Sequence, residues 1–546
     1  MASLAVGEFR AHITLLVCSH CKNIYACEEL QTLVPESGNF GFDVMVYVGQ
    51  ALFLRSCNSK DIQHELSEKN IGISLREIDY LGKRFIVYLA LAHEQSHSEL
   101  KQFMGSQGGY ILHLDGTCEG DSPHLVSSID ELSKIVLGNI KIPSENADQI
   151  IPFLSQIKQA YGNPIALVHD MGSAILNAIK AVFPGIADFI CHFHFLKDIG
   201  QDLFGQDYGT IRRHLKSRGI RSHLRKTAKE LKKAIEQDTE ALNCFHCYLK
   251  SKPLHKPQTL LVPVVTAYLM VSWVLEAKHE SHGFGFPFDR PHFDFYLRLQ
   301  EAYPDLLGVK QIMRNDTSLL PLVTISRTLA DQALGNTVLR MQEKVRIFDQ
   351  LREAMRIAQP DSHTGLNDQG DPDITTIKAR VTAFRHSQQM TQLAATTIAY
   401  RKMVKQIDKY WDKLFADPIQ VSSPTGPITI QPQRTNNLME QFFRDLKRKD
   451  RKRSGNHALT NTLKTMFAQT PLVKNLNNAE YLKIILNGKA TLAERFAEID
   501  IVQVRKAFAE AQKLSQKYPK RMAEMFKIPH LPKQLVKALQ KKTGFS

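Results

Sequence analysis

The chain has no glycine-rich phosphate loop of the Walker type, no G-x-S-x-G elbow and no dinucleotide fingerprint. The common signatures of nucleotide-hydrolysing, serine-hydrolase and Rossmann chemistry are therefore missing. Long apolar runs are also scarce. The most apolar window, Thr259 to Leu275, is interrupted by Pro263, Thr266, Tyr268 and Ser272 and falls short of the ~20 residues a spanning helix needs. A buried helix is expected there, and no membrane partner. The opening MASLAVGEFRAHITLLVC lacks a basic stretch followed by a clean apolar one, so no signal peptide is expected. Eight unevenly spaced cysteines in 546 residues do not make a secreted disulfide framework and fit a reducing cytoplasm. Internal repeats and low-complexity tracts are absent.

Acid is in deficit. Against 55 Asp and Glu stand 70 Lys and Arg, giving a formal net charge of +15 and a pI near 9.3. Such an excess favours a polyanionic partner, and with the membrane set aside that partner is nucleic acid. The hydrophobic fraction of 43% and charged fraction of 23% are those of an ordinary folded protein, and the length implies roughly three or four domains of about 150 residues.

Three acidic residues stand in distinctive settings: Asp115 in GGYILHLDGT, Asp170 in PIALVHDMGSAI and Glu440 in RTNNLMEQFFRDLKRKDRKRSG. Apolar runs lead into both aspartates, Tyr110, Ile111, Leu112 and Leu114 into the first and Ile165 to Val168 into the second. Each therefore falls at the end of a buried strand, where ligands collect in open α/β sheets. Asn437 can cap a helix whose third residue is Glu440, with a strongly basic amphipathic segment behind it. Each acid also has a purely structural use: Asp115 in an Asp-Gly turn, Asp170 as a helix cap, Glu440 closing a capping box. Three carboxylates gathered at one point, however, are what holds two divalent metals against a phosphodiester.

After Asp170 comes FPGIADFICHFHF, with Cys191-x-x-His194, and Glu440 lies in a TNN-x-x-E stretch followed by basic residues. Order and surroundings together resemble the DDE transposases of prokaryotic insertion sequences, nearest to their Mutator-like branch, over about residues 106–205 and 428–456. The resemblance implies a ribonuclease H-like α/β core in which Asp115 bridges two Mg²⁺ ions, Mn²⁺ substituting, while Asp170 and Glu440 each serve mainly one. It implies water attack to free a 3′-OH at an element end and attack of that hydroxyl on target DNA. Cys191 and His194 would be a core signature near the second aspartate, with His192 on the opposite strand face. A homo-oligomer on DNA, cytoplasmic and nucleoid-associated, is implied as well. Two rivals stand beside it: a nuclease of the same fold that does not join ends, and a transposase-derived DNA-binding protein without catalysis.

The expected fold class is thus an α/β ribonuclease H-like catalytic domain interrupted by a large all-α insertion, with an N-terminal β-rich plus helix-turn-helix DNA-binding region. Residues 1–58 read as β-rich, through FDVMVYVGQALFL. Residues 59–105 read as two helices with a short break, the second starting at the capping box Ser74/Glu77 and bringing Arg76, Lys83 or Arg84 to DNA. The core occupies 106–205, with strands YILHLD, PHLVSS, KIVLGNI, IALVHD and ADFICHF, and resumes at 428–470. Only 55 residues separate Asp115 from Asp170 but 270 separate Asp170 from Glu440, hence a helical insertion at 206–427. Residues 471–546 form a helical C-terminal region.

Two basic runs are candidate phosphate contacts. From Arg212 to Lys233 ten Lys or Arg, among them Arg212, Arg213 and Lys216, face one acid, Glu230, and behind Glu440 come Arg444, Lys447, Arg448 and Arg451. Glu119 and Asp121 are expected in solvent. Cys18-x-x-Cys21 is half of a zinc ribbon whose second pair is missing nearby, with Cys27, Cys57 or His12 left to complete it. Structural Zn²⁺ is the lesser expectation there, reduced cysteines the greater, and the same holds for Cys191 and His194 with Cys244-x-x-Cys247.

Overall fold

A computed structural model describes residues 1–12, 14–25, 29–250, 262–277, 282–313, 319, 322–358, 374–424, 426–514 and 525–543. The chain divides into two compact units, Met1–Cys191 with Ala416–Ser546, and His192–Phe415. The second unit thus begins and ends earlier than the expected insertion at 206–427.

The N-terminal segment is helical where a β-rich run was expected. FDVMVYVGQALFL forms α1 (Phe42–Gln50) and a π-helical turn, Ala51–Arg55, while the described strands before it are two-residue pieces. Val and Phe favour strands, but Val44, Met45, Val48, Ala51 and Leu52 lie on one helical face and are all buried, so packing overrides propensity. Next come α2 (Ser59–Ser67), α3 (Leu75–Gln95) and α4 (His97–Ser106). Ser74 Oγ accepts from the Glu77 N–H at 3.1 Å, starting α3 where the capping box placed it.

Helix α3 is nevertheless a poor candidate to lie in a DNA groove along its length. Every residue from Arg84 to Leu89 is buried. Arg84, expected at DNA, is 8% exposed and donates to the Tyr88 hydroxyl at 3.2 Å. Arg76 and Lys83 are exposed.

A five-stranded sheet follows: β1 (Ile111–Thr117), β2 (His124–Asp130), β3 (Val136–Ile142), β4 (Ala166–His169) and β5 (Asp188–Ile190), in the order β3-β2-β1-β4-β5. Short loops join β1, β2 and β3, which pair antiparallel, and helical crossovers through α5 (Ala147–Tyr161) and α6 (Ser173–Val182) bring β4 and β5 in parallel. Entry into β1 is tight: a Cβ on Gly109, whose φ is +120°, would sit 2.7 Å from Ile165. One sheet face, with Leu112, Leu114, Val126 and Leu167, joins the main core. The other carries Ile111, Ala166 and Val168 beneath Ile419 and Ile430 of the hairpin β6 (Ile419–Ser423) and β7 (Gly426–Ile430), and Leu125 beneath Leu459 and Leu463. The C-terminal region is no appendage as far as Val504, since Leu472, Tyr481, Ile485, Phe496 and Val504 are in the main core, whereas the described residues after Met525 are largely exposed.

Strand β5 stops at Ile190, short of the expected ADFICHF. His192 therefore lies on no strand face. It opens the 26-residue helix α7 (His192–Ser217), with Nε2 against the Leu414 carbonyl.

Helices make up all the regular structure among the described residues of the second unit, the longest being α7, α8 (Ile220–Gln237), α9 (Pro291–Ile312) and α10 (Gln332–Met355). The described part of the apolar window is a helix, Pro263–Glu276, that buries Val265, Ala267, Val271 and Val274. Among the described residues no helix is long and apolar enough to cross a membrane.

Asp207 on α7 is buried and accepts from Arg340 at 2.6 Å and Lys344 at 2.7 Å. Burial pushes its carboxyl up, but these two hydrogen bonds and the charges behind them outweigh it and hold it below the ordinary 3.8. The stability this gives is complete above pH 3.8 and is lost as pH falls toward the lower folded value. Asp207→Asn should cost about 2 kcal/mol at pH 7, discounted for the half-exposed Arg340, and should remove this acid-dependent loss. Both tryptophans, Trp273 and Trp411, belong to this unit, so denaturant titrations followed by their fluorescence at pH 7 and 3 measure it.

Candidate active site

Register decides which side chains share a face. Asp115 pairs with Ser127 and Ser127 with Asn139. Leu114 pairs with His169 and His169 with Ile190, so Asp170 and Cys191, each one residue on, continue the same row. Asn139, Ser127, Asp115, Asp170 and Cys191 thus stand side by side in one row across the sheet, on the face opposite the main core; Asp170 and Cys191 follow the ends of β4 and β5, whereas Asp115, expected at a strand end, lies inside β1, which runs on to Thr117. Asp115 and Asp170 are half-buried and Cys191 is fully buried. A carboxylate oxygen of Asp170 lies within 4.8 Å of Cys191 Sγ.

Glu440 comes to this face on the helix Asn437–Ser454, which packs against β1. It is the fourth helical residue, not the third, because Asn436 rather than Asn437 occupies the capping position, and Asn436 makes no side-chain cap hydrogen bond. Its amide turns to the sheet instead. Nδ2 donates to the Leu114 carbonyl at 3.1 Å, and Oδ1 accepts from His113 Nδ1 at 2.8 Å. The Asn436 N–H donates to Cys191 Sγ at 3.2 Å. His113 Nε2 lies 2.9 Å from the Glu131 carboxylate, which also accepts from the Gln433 N–H at 3.2 Å. Residues before Glu440 are therefore tied to the residues just before Asp115 and just after β5. The three carboxylates do not form a set with all ligand oxygens within 4.8 Å. Hard carboxylate oxygens on one face match the donors Mg²⁺ or Mn²⁺ takes, while the soft Cys191 sulfur is already engaged as an acceptor.

Behind Glu440, Arg444, Lys447 and Arg451 follow at i+4, i+7 and i+11, which puts all four on one side of the helix. These three basic residues are exposed, and Phe442 and Asp450 are buried. Arg448, also exposed, pairs with Asp445 at 3.2 Å. The β1–β2 loop is tied to this region through both acids expected in solvent, although the Asp121 side chain is still 79% exposed. Glu119 accepts from the Leu459 N–H at 2.6 Å and from Lys447 at 3.1 Å, which hold its carboxyl below the usual value, and Asp121 pairs with Lys464. In the second unit, Arg212, Arg213, Lys216, Arg225, Lys226, Lys229, Lys232 and Lys233 are exposed, and Arg218 pairs with Asp331 at 2.6 Å.

His194 is the third residue of α7, in the second unit. Cys18 and Cys21 lie between two short strands, the Cys21 N–H donating to Cys18 Sγ at 3.5 Å. Neither they nor Cys244 and Cys247 gain a third metal-ligating neighbour among the described residues, and Cys27 lies outside those residues.

The sequence was expected to hold no H-E-x-x-H metalloprotease motif, but His93-Glu94-Gln95-Ser96-His97 has that spacing. The fold removes that chemistry. The α3 helix ends at Gln95, His93 is 4% exposed, and its nitrogens meet the hydroxyls of Tyr481 and Tyr161, both at 3.0 Å, and the Leu137 carbonyl. Among the described residues no third ligand joins the two histidines. His113, Glu131, Ser127, Asn139 and Asn436 are the residues of the site that sequence reasoning overlooked. Only Asn436 had a local signal, the TNN ahead of Glu440.

No protein-family model matches the chain, and a search of curated proteins finds no match.

Proposed function

We propose that the first unit is a metal-dependent DNA-processing centre of the DDE transposase type, with Asp115, Asp170 and Glu440 as its acids. One observation carries this reading: Asp115 and Asp170 follow one another on a single sheet face, and the Glu440 helix is tied to that face by Asn436. The strand succession, with the two aspartates on adjacent central strands, agrees with the ribonuclease H-like core that the sequence resembles. The three carboxylates would hold Mg²⁺ or Mn²⁺, and two such ions activate an attacking oxygen and stabilise a departing one. Arg444, Lys447 and Arg451, beside Glu440, hold backbone phosphates and keep the scissile bond on the acidic face. The exposed bases of α7 and α8 are a candidate phosphate surface of the second unit by itself, and Arg76 and Lys83 are another at the start of α3 in the first. Processing two element ends calls for at least two copies of the chain, and DNA binding would place it on the nucleoid.

The test is incubation of the full chain with Mg²⁺ and a labelled DNA carrying the sequence that flanks its reading frame. Cleavage followed by joining to a second DNA supports the transposase. Cleavage without joining makes it a nuclease, and specific binding with neither reaction makes it a DNA-binding derivative. If six to ten phosphates are contacted, affinity should fall about 10³- to 10⁵-fold between 50 and 200 mM salt. Fluorescence anisotropy over that range measures the slope, and a flat response overturns the assignment of the basic residues.

A further inference from the structure

We propose that Asn436 is the positioning residue that sets Glu440 against Asp115 and Asp170, acting through His113, the Leu114 carbonyl and Cys191. The inference rests on the metal-dependent reading of this site.

An asparagine at a helix start ordinarily turns its side chain back to cap the helix's own N–H groups. Asn436 does not. Both atoms of its amide go to β1 at the two residues preceding Asp115, and its N–H goes to the residue following β5. One residue thus joins the Glu440 helix to the Asp115 strand and to Cys191, the neighbour of Asp170 in the row. His113 and Asn436 are fully buried, and Glu131, which grips the far nitrogen of His113 and the Gln433 N–H, is 6% exposed. The tie is out of competition with water, and it is doubled, once through Asn436 and once through Gln433. Glu440 lies four residues on, one helical turn beyond Asn436. A helix is stiff over one turn, so a shift at Asn436 is carried to the Glu440 carboxylate. The arrangement also gives Cys191 a task that needs no metal: its sulfur accepts the N–H that opens the helix.

Asn436→Ala cuts both side-chain bonds and leaves the backbone bond to Cys191. Asn436→Asp keeps an oxygen for His113 and loses the donor to Leu114, and it serves where the alanine variant does not fold. Two readouts on the full chain are needed. Hydrogen exchange of the amides from Asn437 to Phe443 reports the tie itself. Mn²⁺ titration followed by electron paramagnetic resonance reports the acids, with Asp170→Asn as the reference for their loss.

The expected result is faster exchange in that turn and a Mn²⁺ dissociation constant raised about 10- to 100-fold for Asn436→Ala, the range typical when a partner orienting a metal ligand is removed, with a smaller rise for Asn436→Asp. Unchanged exchange would show that the tie does not hold the helix. Faster exchange with unchanged Mn²⁺ affinity would reduce Asn436 to a stabilising contact and overturn its positioning role. Wild type binding Mn²⁺ no better than Asp170→Asn would overturn the metal-dependent reading, and this inference with it, whatever the exchange shows.

Discussion

Asp170→Asn should abolish Mg²⁺-dependent cleavage and joining while leaving DNA affinity nearly intact. The substitution conserves shape and removes only the charge, at a half-buried position beside Asp115 at the end of a central strand. Metal ions stabilise transition-state charge by several kcal/mol, and each 1.36 kcal/mol is tenfold in rate. The single-turnover rate should therefore fall by about 10³-fold or more. DNA affinity should not fall, because the basic residues that bind phosphate lie on the Glu440 helix and in the second unit. Single-turnover cleavage and anisotropy on one preparation separate the two quantities. A variant that cleaves within tenfold of wild type would remove Asp170 from the site, and one that loses both rate and affinity would indicate a folding defect.

The second large effect is on stability. Complete burial, with His97 beside it, draws His93 down to about 3 from the ordinary 6.5, and the Leu137 carbonyl only partly opposes this. His97 is shifted the same way, chiefly by its own burial, with Glu94 opposing. The folded chain keeps His93 neutral while the unfolded chain takes up a proton below pH 6.5. Stability is therefore full above 6.5 and falls as pH drops from 6.5 toward 3, by up to about 1.4 kcal/mol per unit. At pH 4.5 the first unit should have lost roughly 2 to 3 kcal/mol relative to pH 7.5 from this residue alone. His93→Gln should flatten that slope, even where it lowers stability at neutral pH by disturbing the contacts with Tyr161 and Tyr481. Urea-dependent hydrogen exchange in α3, read at pH 7.5, 5.5 and 4.5, checks it. Equal slopes for wild type and variant would show that His93 titrates freely.

The site was legible in the sequence where its signal is local. Apolar runs leading into Asp115 and Asp170 mark the strands that carry them, since a strand buried on both faces reads as a continuous apolar stretch, although only Asp170 follows a strand end and Asp115 lies two residues inside its own. The stripe of Glu440, Arg444, Lys447 and Arg451 is visible from helical spacing alone. Other local signals misled. Val44 and Val48 of FDVMVYVGQ favour a strand, yet they lie on a buried helical face. Arg84 looked like a DNA contact in a basic helix, yet that turn of α3 runs through the core and its guanidinium serves Tyr88.

By itself the sequence determined the segments: which stretches are strand or helix over most of the first unit, where the acids fall on them, and how strongly the chain favours a polyanion. Those properties depend on residues within a few positions of one another. Only the tertiary structure decided that Ser127 and Asn139 complete a row with Asp115, that Asn436 reaches back more than three hundred residues to His113 and Leu114, and that Cys191 receives its N–H. Strand register and contacts across a 224-residue second unit, His192–Phe415, are set by which buried polar groups find partners once the chain has collapsed. No local pattern of side chains carries that choice.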